Sequence, residues 1–479
     1  MRDMLLVLDY DHLAARTVAR KLRSERVCCK IAPGDAPMDE IAAQEPIGLV
    51  LAAARTRIQP PEALLSLDIP LLALSSASVW LCDAAGGHAG PAAAENGLCA
   101  ISYEESPLLE GLEPGDRMLS AQLEMQLPSG YKTLAVAGDK IPFVFSDAEG
   151  KRFGAQMDIE PHDPEGTRLL SNFALNVCGC TPWWDEDAFV LRSVQEIRRV
   201  VGDGAAMCAM TGGLNSGVSA LLAYKALGAR LKCVFIDTGL LRDGESSAVM
   251  AYYRDQIGLD ITRIDAQDTF LSALQGLTDG AQKKAVIGRL LNEILTSERN
   301  KIQNLNAVIR GTSYTDVIAS TAPKEGDWDE FRAIEPVRDL FKDEIRQVGE
   351  YLGMPAEIIS TQPFPGSGLA LRILGEVTEK NLATLRAADK IFRDEVAAAG
   401  QGKRLWQHFA VLSGMQGSDE RVICLRAVHA TDGTLAHAAR LPYELLETVT
   451  TRILKECPDV HRVVYDMTPS THYAGIEWQ

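Results

Sequence analysis

The sequence predicts an α/β protein with two doubly wound parallel-sheet domains and a smaller C-terminal α+β domain. Three observations predict this fold. Short apolar strands alternate with helix-like segments near the N-terminus and again in mid-chain, which is typical of parallel sheets covered on both faces. A Gly-rich turn joins a strand to a helix within residues 205–227. Beyond residue 360, two amphipathic helical segments accompany two further strands.

Length and charge restrict the classes of function. A chain of 479 residues is too long for one core, so we expect two to four domains. Its 48 basic and 65 acidic residues give a net charge of −17, which repels nucleic acid and anionic membranes. The N-terminal apolar run is interrupted by Asp9, and no apolar run approaches the length of a membrane span. We therefore predict a soluble, cytoplasmic protein without nucleic-acid or membrane partners.

The cysteines do not predict a disulfide framework or a zinc site. Ten cysteines are spread irregularly along the chain, and the C-x-C pair Cys178 and Cys180 lacks a second pair nearby in sequence. Reduced and mostly buried thiols are therefore expected.

The first predicted domain covers residues 1–181. Residues 4–8, 48–53 and 70–74 are apolar enough for buried strands, and residues 12–23 have the pattern of a helix. The segment C-T-P-W-W at residues 180–184 marks the boundary, where Trp183 and Trp184 are expected to pack between domains.

The second predicted domain covers residues 182–360. After a helix at 187–201, strands are expected at 205–210, 232–237, 261–265 and 307–310. The turn T-G-G-L-N-S-G follows the first of these strands. Its backbone N–H groups and the helix dipole behind it suit an anion such as pyrophosphate. The turn lacks the G-K-[ST] ending of a Walker loop and is not a G-x-G-x-x-G dinucleotide motif.

The third predicted domain covers residues 361–479. Apolar residues recur with helical spacing at 382–396 and 446–453, and these helices end near Gly400 and Pro458. Residues 421–428 and 462–466 are the expected strands.

Several motifs together resemble a known family. The Gly-rich turn is similar to the S-G-G-x-D-S loop of the N-type ATP pyrophosphatases, whose domain is adenine-nucleotide α-hydrolase-like. The motifs F-I-D-T-G-L-L-R (235–242), V-I-G-R (286–289), G-T-S-Y (311–314), P-F-P-G (363–366) and G-I-E-W-Q (475–479) occur in the order seen in GMP synthase. The resemblance covers essentially the whole chain, and it makes the first domain class I glutamine amidotransferase-like.

The resemblance implies an ATP-dependent carbon–nitrogen ligase that adenylates a carbonyl oxygen, with ATP and Mg²⁺ as cofactors. It also implies a homodimer formed through the C-terminal domain, which contributes to the XMP site. The residues that it assigns to ATP or pyrophosphate are Thr211, Gly212, Gly213, Asn215, Ser216, Phe235, Asp237, Arg289, Gly311, Thr312, Asp316 and Lys342. Those that it assigns to the purine-nucleotide-like substrate are Arg372, Glu376, Thr471 and Glu477.

The amidotransferase positions depart from the family. Ser75 stands at the nucleophilic cysteine on a sharp strand-to-helix turn, and Asp158 replaces the histidine base beside Glu160. A carboxylate cannot serve as the imidazole of a triad, and a serine without a base is a poor nucleophile. The Gly-Gly oxyanion turn reads L-A-A-A at 51–54. We predict that glutamine is not hydrolysed here, and a serine hydrolase without a histidine is the remote alternative.

The synthetase positions depart as well. Asn215 replaces the aspartate that helps to hold Mg²⁺, so this metal site is expected to be weakened or lost. An acidic segment at 321–329 replaces the basic, glycine-rich lid, and Lys324 is the only lysine in it. The P-V-R-S-V-G-V segment is missing near 412–418, and Thr471 replaces a phosphate-binding lysine. Ordinary XMP amination is therefore in doubt.

The sequence is compatible with three functions. The first is an ammonia-dependent ligase with an altered purine-like substrate and a separate ammonia donor. The second is a pseudoenzyme that binds a nucleotide or a protein partner. The third is adenylation followed by attack of sulfur or another nucleophile, although Cys208 and Cys233 lie within predicted strands and resemble core thiols.

Overall fold

The computed structural model describes residues 3–54, 56–94, 97–119, 122–138, 141–314, 316, 332–414, 421–430 and 436–469. The chain divides into two compact units, Met1–Ala188 and Phe189–Gln479. The segments predicted as the second and third domains thus lie together in the second unit, apart from residues 182–188. Within the described ranges, no helix is both long and apolar enough to cross a membrane.

The first unit has an α/β architecture. Its strands are β1 (Leu5–Asp9), β2 (Cys29–Pro33), β3 (Gly48–Ala52), β4 (Leu71–Leu74), β5 (His88–Ala94), β6 (Gly97–Tyr103), β7 (Gly115–Leu119), β8 (Gln122–Gln126), β9 (Tyr131–Ala137), β10 (Ile141–Asp147) and β11 (Arg152–Ala155). Its helices are α1 (His12–Ser24), α2 (Met38–Ala43), α3 (Ser76–Ala84) and α4 (Pro164–Asn172), and α5 (Glu186–Val201) leads into the second unit.

The large sheet of this unit is mixed. Its order is β2-β1-β3-β4-β11-β10-β9-β6-β7, and the first five of these strands run parallel. The predicted parallel sheet is confirmed for these five, and the apolar residues of β1, β3 and β4 are buried on both faces. The antiparallel strands β10, β9, β6 and β7 were not predicted. Strands β5 and β8 pair separately.

The tryptophan pair lies within the first unit. Trp183 is buried in a cluster with Met4, Cys28 and Ala188, and Trp184 packs against that cluster. The Trp183 ring nitrogen Nε1 donates to the carbonyl oxygen of Asp3 at 3.2 Å. Trp183 therefore packs against residues of the first unit, and packing of this pair between domains stays a prediction.

The second unit contains a five-stranded parallel sheet in the order β14-β13-β12-β15-β16. The strands are β12 (Ala205–Met210), β13 (Leu231–Asp237), β14 (Ile261–Asp265), β15 (Leu305–Ile309) and β16 (Arg332–Ile334). The helices of this part are α6 (Leu214–Leu227), α7 (Glu245–Val249), α8 (Gln267–Leu274), α9 (Gly280–Arg299), α10 (Lys342–Tyr351) and α11 (Ala356–Ile359). The strand order reverses at β12, so a crevice for a ligand is expected beyond its carboxyl end.

A second sheet completes this unit. It has the order β17-β18-β19-β20, and β21 also pairs with β19. The strands are β17 (Ile373–Leu374), β18 (Gln407–Gly414), β19 (Arg421–Ala430), β20 (Ala436–Ala438) and β21 (Val460–Asp466), and the helices are α12 (Glu379–Ala398) and α13 (Tyr443–Glu456). One apolar cluster includes Met207 and Val234 of the first sheet together with Phe392 and Val449 of this part. This shared core explains why the two predicted domains form one unit.

Candidate functional site in the second unit

The Gly-rich turn connects the central strand β12 to α6. Gly212 has a φ of +80°, and a Cβ atom added there would lie 2.6 Å from Cγ2 of Val249. Both the backbone conformation and the lack of space require glycine at this position. Gly213 is the N-cap of α6, so the first N–H groups of this 14-residue helix face the end of the sheet.

Ser216 holds the turn together. Its hydroxyl accepts a hydrogen bond from the Thr211 N–H at 3.2 Å and donates one to the Gly213 carbonyl at 3.0 Å. The hydroxyl oxygens of Thr211 and Ser216 are also 3.0 Å apart. Gly311 follows β15 and lies so close that an added Cβ would be 2.6 Å from the Ser216 nitrogen. The turn is therefore preorganised by side chains and by a close approach of backbones.

Asn215 links two charged side chains. The Lys342 ammonium donates to Oδ1 of Asn215 at 2.7 Å, and Nδ2 of Asn215 donates to Oδ2 of Asp316 at 3.0 Å. The same Asp316 oxygen accepts from the backbone N–H of Ser313 at 2.8 Å and from its hydroxyl at 2.6 Å. Burial lowers the pKa of Lys342 to about 8; Asp316 opposes this shift and Arg346 adds to it.

This arrangement does not fit the Mg²⁺ ion that the resemblance implies. A hard cation requires free oxygen ligands. The Asn215 amide oxygen already accepts from an ammonium group, and Oδ2 of Asp316 accepts three hydrogen bonds.

The turn forms one end of a cavity of about 410 Å³. Asp316 and Lys342 lie at this end, and the segment 361–366 lines another part of the wall. Apolar side chains form much of the remaining lining and are suited to contact a nucleobase; they include Ala209, Met210, Val234, Ile236, Leu241, Leu291 and Leu295, and the polar Thr238, Arg242 and Glu245 also line the cavity. A cavity of this size with a few polar groups is typical of a small-molecule site.

The structure brings together only part of the predicted ATP site. Thr211, Gly212, Gly213, Asn215, Ser216, Gly311, Asp316 and Lys342 all line the cavity. Thr312 is not among the lining residues, and its hydroxyl donates to Glu335 at 2.8 Å. Arg289 is also outside the lining; it is exposed on α9 and forms an ion pair with Glu293 at 2.7 Å.

Phe235 and Asp237 do not line the cavity, in contrast to the prediction that they face the adenosine. Residues alternate between the two faces of a strand, so Val234 and Ile236 line the wall instead. Phe235 is buried. Asp237 accepts from Arg263 at 2.8 Å and from the Gly239 N–H at 3.2 Å. Burial acts to raise the pKa of Asp237, but the hydrogen bonds from Arg263 and the Gly239 N–H and the positive charge of Arg263 outweigh it and lower the pKa.

The predicted substrate residues are separated from the cavity or lie outside the described part of the chain. Arg372 is fully buried, with its guanidinium carbon 4.0 Å from the centre of the Phe409 ring. The Glu376 carboxylate accepts from the backbone N–H of Gly276 at 2.7 Å. Thr471, Glu477 and the segment at 321–329 lie outside the described residues.

Sequence reasoning missed Arg242 as a lining residue. Its side chain is 9% exposed, and its guanidinium carbon lies 4.1 Å from the centre of the Phe364 ring. Its Nε is 4.0 Å from Oδ2 of Asp389, which is too long for a hydrogen bond. The pKa of Arg242 is lowered to about 10, mainly because the guanidinium is buried. The motifs L-L-R and P-F-P-G can be read from the sequence, but the contact between Arg242 and Phe364 forms only when the chain folds.

In the first unit, Ser75 lies on the sharp turn that was predicted. It follows β4, has φ +51° and ψ −123°, and is the N-cap of α3. The N–H of the next residue, Ser76, donates to the Ala54 carbonyl at 3.3 Å. Asp158 is half-buried and Glu160 is exposed; both follow β11, which pairs with β4.

Comparison with known proteins identifies the family. The family model of NAD synthase matches residues 190–398, and that of the GMP synthase C-terminal domain matches residues 394–478. A glutamine-hydrolyzing GMP synthase of Caldicellulosiruptor saccharolyticus is 35% identical over 509 aligned positions, covering 100% of this chain and 99% of the relative. The corresponding protein of Caldanaerobacter subterraneus subsp. tengcongensis is 36% identical, with the same coverage. At this identity over the full length, the chain belongs to the GMP synthase family.

Proposed function

We propose that this protein is an ATP-dependent, ammonia-using ligase that acts on a purine-nucleotide-like carbonyl compound. The observation that carries the proposal is the single cavity in which the Gly-rich turn, Lys342 and the segment 361–366 meet. ATP is the nucleotide expected of this family. The phosphates would lie at the turn and the adenine against the apolar wall.

The expected reaction has two steps. The acceptor's carbonyl oxygen attacks the α-phosphorus of ATP, forming a C–O–P bond and releasing pyrophosphate. Ammonia then attacks the activated carbon, and AMP leaves with the oxygen. The backbone N–H groups at the start of α6 and the Lys342 ammonium are suited to hold the departing pyrophosphate. Magnesium coordination through Asn215 is proposed to be weakened or lost.

The nitrogen is proposed to come from free ammonia or a separate ammonia donor. Ser75 lacks a thiol, and the position of the histidine base is occupied by Asp158. In addition, the Ser76 N–H, which would face an oxyanion, donates to Ala54 instead. These three features together support an inactive glutaminase.

The acceptor is proposed to differ from XMP, because the C-terminal lysine position of the family is occupied by Thr471. Charge-assisted hydrogen bonds to phosphate are worth roughly 1.5–3 kcal/mol, so this loss would weaken binding of a nucleotide monophosphate. We also propose a homodimer through the C-terminal part and a cytoplasmic location. Exposed apolar side chains on this part, including Tyr443 and Met467, are consistent with such an interface.

One observation favours a second candidate, a nucleotide-binding pseudoenzyme. At position 215 this chain has an asparagine in place of the aspartate that helps to hold Mg²⁺ in the family. The sulfur alternative has less support, since Cys208 and Cys233 are buried free thiols that lie opposite each other on the neighbouring strands β12 and β13. Neither cysteine is among the residues that line the cavity.

Calorimetric titration with ATP, followed by a pyrophosphate-release assay with a panel of purine-like acceptors that includes XMP, each with ammonium or glutamine, tests the proposal. A ligase should bind ATP and release pyrophosphate with ammonium but not with glutamine. ATP binding without pyrophosphate release for any purine-like acceptor would favour the pseudoenzyme. Failure to bind ATP would refute both nucleotide-based candidates.

A further inference from the structure

We infer that Lys342, positioned by Asn215, is the resident cation of this phosphate site, so that ATP binds without a divalent metal ion contacting the protein. The inference rests on the proposed ATP site and concerns how that site balances the charge of the phosphates. It assigns Asn215 a positive role, as the residue that orients the ammonium group.

The geometry places the cation where phosphates would bind. Lys342 lines the same cavity end as the turn and as the start of α6. Its ammonium group is fixed by the 2.7 Å hydrogen bond to Oδ1 of Asn215, which is itself the second residue of α6. Lys342 is the first residue of α10. The backbone N–H of the N-cap residue, Phe341, donates to the Glu344 carboxylate at 2.8 Å. Both ends of the contact are thus anchored on helix termini.

The amide of Asn215 replaces a bridging cation. Its Nδ2 donates to Asp316 at 3.0 Å, while its Oδ1 accepts from Lys342. A carboxylate in the same place would have an oxygen near Oδ2 of Asp316, and two carboxylates at this distance repel unless a proton or a cation lies between them. The asparagine forms hydrogen bonds with both neighbours, so neither a proton nor a cation is needed between residues 215 and 316.

The local charges lead to the same conclusion. Lys342 carries one positive charge and Asp316 one negative charge, so these two and neutral Asn215 sum to zero. With aspartate at 215, the three side chains would sum to −1 and would recruit an external cation before binding phosphates. As the chain stands, Lys342 and the backbone N–H groups of the turn are available to the phosphates directly.

The test is ATP affinity measured by calorimetry in excess Mg²⁺ and in excess EDTA, without any acceptor. For the unmodified protein, we expect the two dissociation constants to agree within about 3-fold, which is less than 1 kcal/mol. Asn215→Asp should make binding metal-dependent, with affinity at least about 10-fold lower in EDTA than in Mg²⁺. The matched control is Asn300→Asp, the same change of charge at the exposed C-cap of α9, and it should behave like the unmodified protein.

Asn215→Ala provides a second variant in case the aspartate impairs folding. It frees Lys342 from its acceptor and should weaken ATP binding by about 10-fold equally in Mg²⁺ and in EDTA. A loss of affinity greater than 3-fold when EDTA replaces Mg²⁺ on the unmodified protein would overturn the inference while leaving the ATP site intact. Absence of ATP binding in both conditions would instead refute the proposed function.

Discussion

The backbone N–H of Ser76 donates a hydrogen bond to the carbonyl oxygen of Ala54 at 3.3 Å. This N–H follows the nucleophile position and is the donor that an oxyanion would need. Because the protein's own backbone accepts from this N–H, the contact supports the proposal that glutamine is not hydrolysed at this site.

Restoring the nucleophile alone should therefore not restore glutaminase activity. We expect Ser75→Cys to release no glutamate from glutamine above the level of the unmodified protein, because Asp158 and the Ser76–Ala54 contact remain. An enzymatic glutamate assay, with an active glutamine-hydrolysing enzyme as positive control, measures this. Measurable release by the single variant would contradict our account of the site.

The Gly-rich turn should not tolerate a side chain at Gly212. In Gly212→Ala, the positive φ and the 2.6 Å approach to Val249 would force the turn to shift, at a cost of about 1–3 kcal/mol. We expect ATP affinity to fall about 10-fold or more. Gly288→Ala is the matched control, because Gly288 lies on α9 with nothing within 4 Å of the added carbon. It should leave ATP affinity unchanged, and an equal loss in both variants would refute the argument.

Two arginines near Asp389, the buried Arg242 and the half-buried Arg393, should respond differently to truncation. Arg393 forms a 2.7 Å hydrogen bond with Asp389, which is 1% exposed, whereas Arg242 is 4.0 Å from the same carboxylate. Arg393→Met should destabilise by roughly 3 kcal/mol, since it removes the partner of a buried charge. Arg242→Met should change stability by less than about 1 kcal/mol, since the guanidinium is poorly paired. Urea unfolding midpoints compare the two, and equal losses would contradict the assignment of the ion pair.

His408 should make stability depend on pH. Its ring lies 5.8 Å from that of Phe392, and burial is the main cause that lowers its pKa from 6.5 to about 4. Between these values the unfolded chain binds more protons than the folded one, so this group's contribution to stability rises as pH increases from 4 to 6.5. The full effect is at most about 3 kcal/mol. Urea unfolding of His408→Phe should show a weaker rise over this range than the unmodified protein, and an unchanged slope would refute the prediction.

Local sequence patterns determined the elements that surround the site. The helix at α5 and strands β12 and β14 match the predicted limits to within one residue. The apolar run of β12 and the helical spacing of the apolar residues in α5 are local patterns that indicate these elements. The Gly-rich turn could also be predicted, since the positive φ of Gly212 is a local requirement for glycine, whereas its close approach to Val249 appears only in the structure. The departures at Ser75, Asp158 and Asn215 are likewise visible in the sequence alone.

Only the tertiary structure decided which side chains meet. Lys342 and Asn215 are 127 residues apart, and nothing in either segment indicates that one donates to the other. The face of β13 that lines the cavity depends on its register with β12, which placed Val234 and Ile236 in the wall rather than Phe235 and Asp237. The sequence by itself determined the elements that flank the Gly-rich turn, because local patterns specify them. Packing between distant segments decided that Asn215 forms a hydrogen-bonded bridge between Lys342 and Asp316.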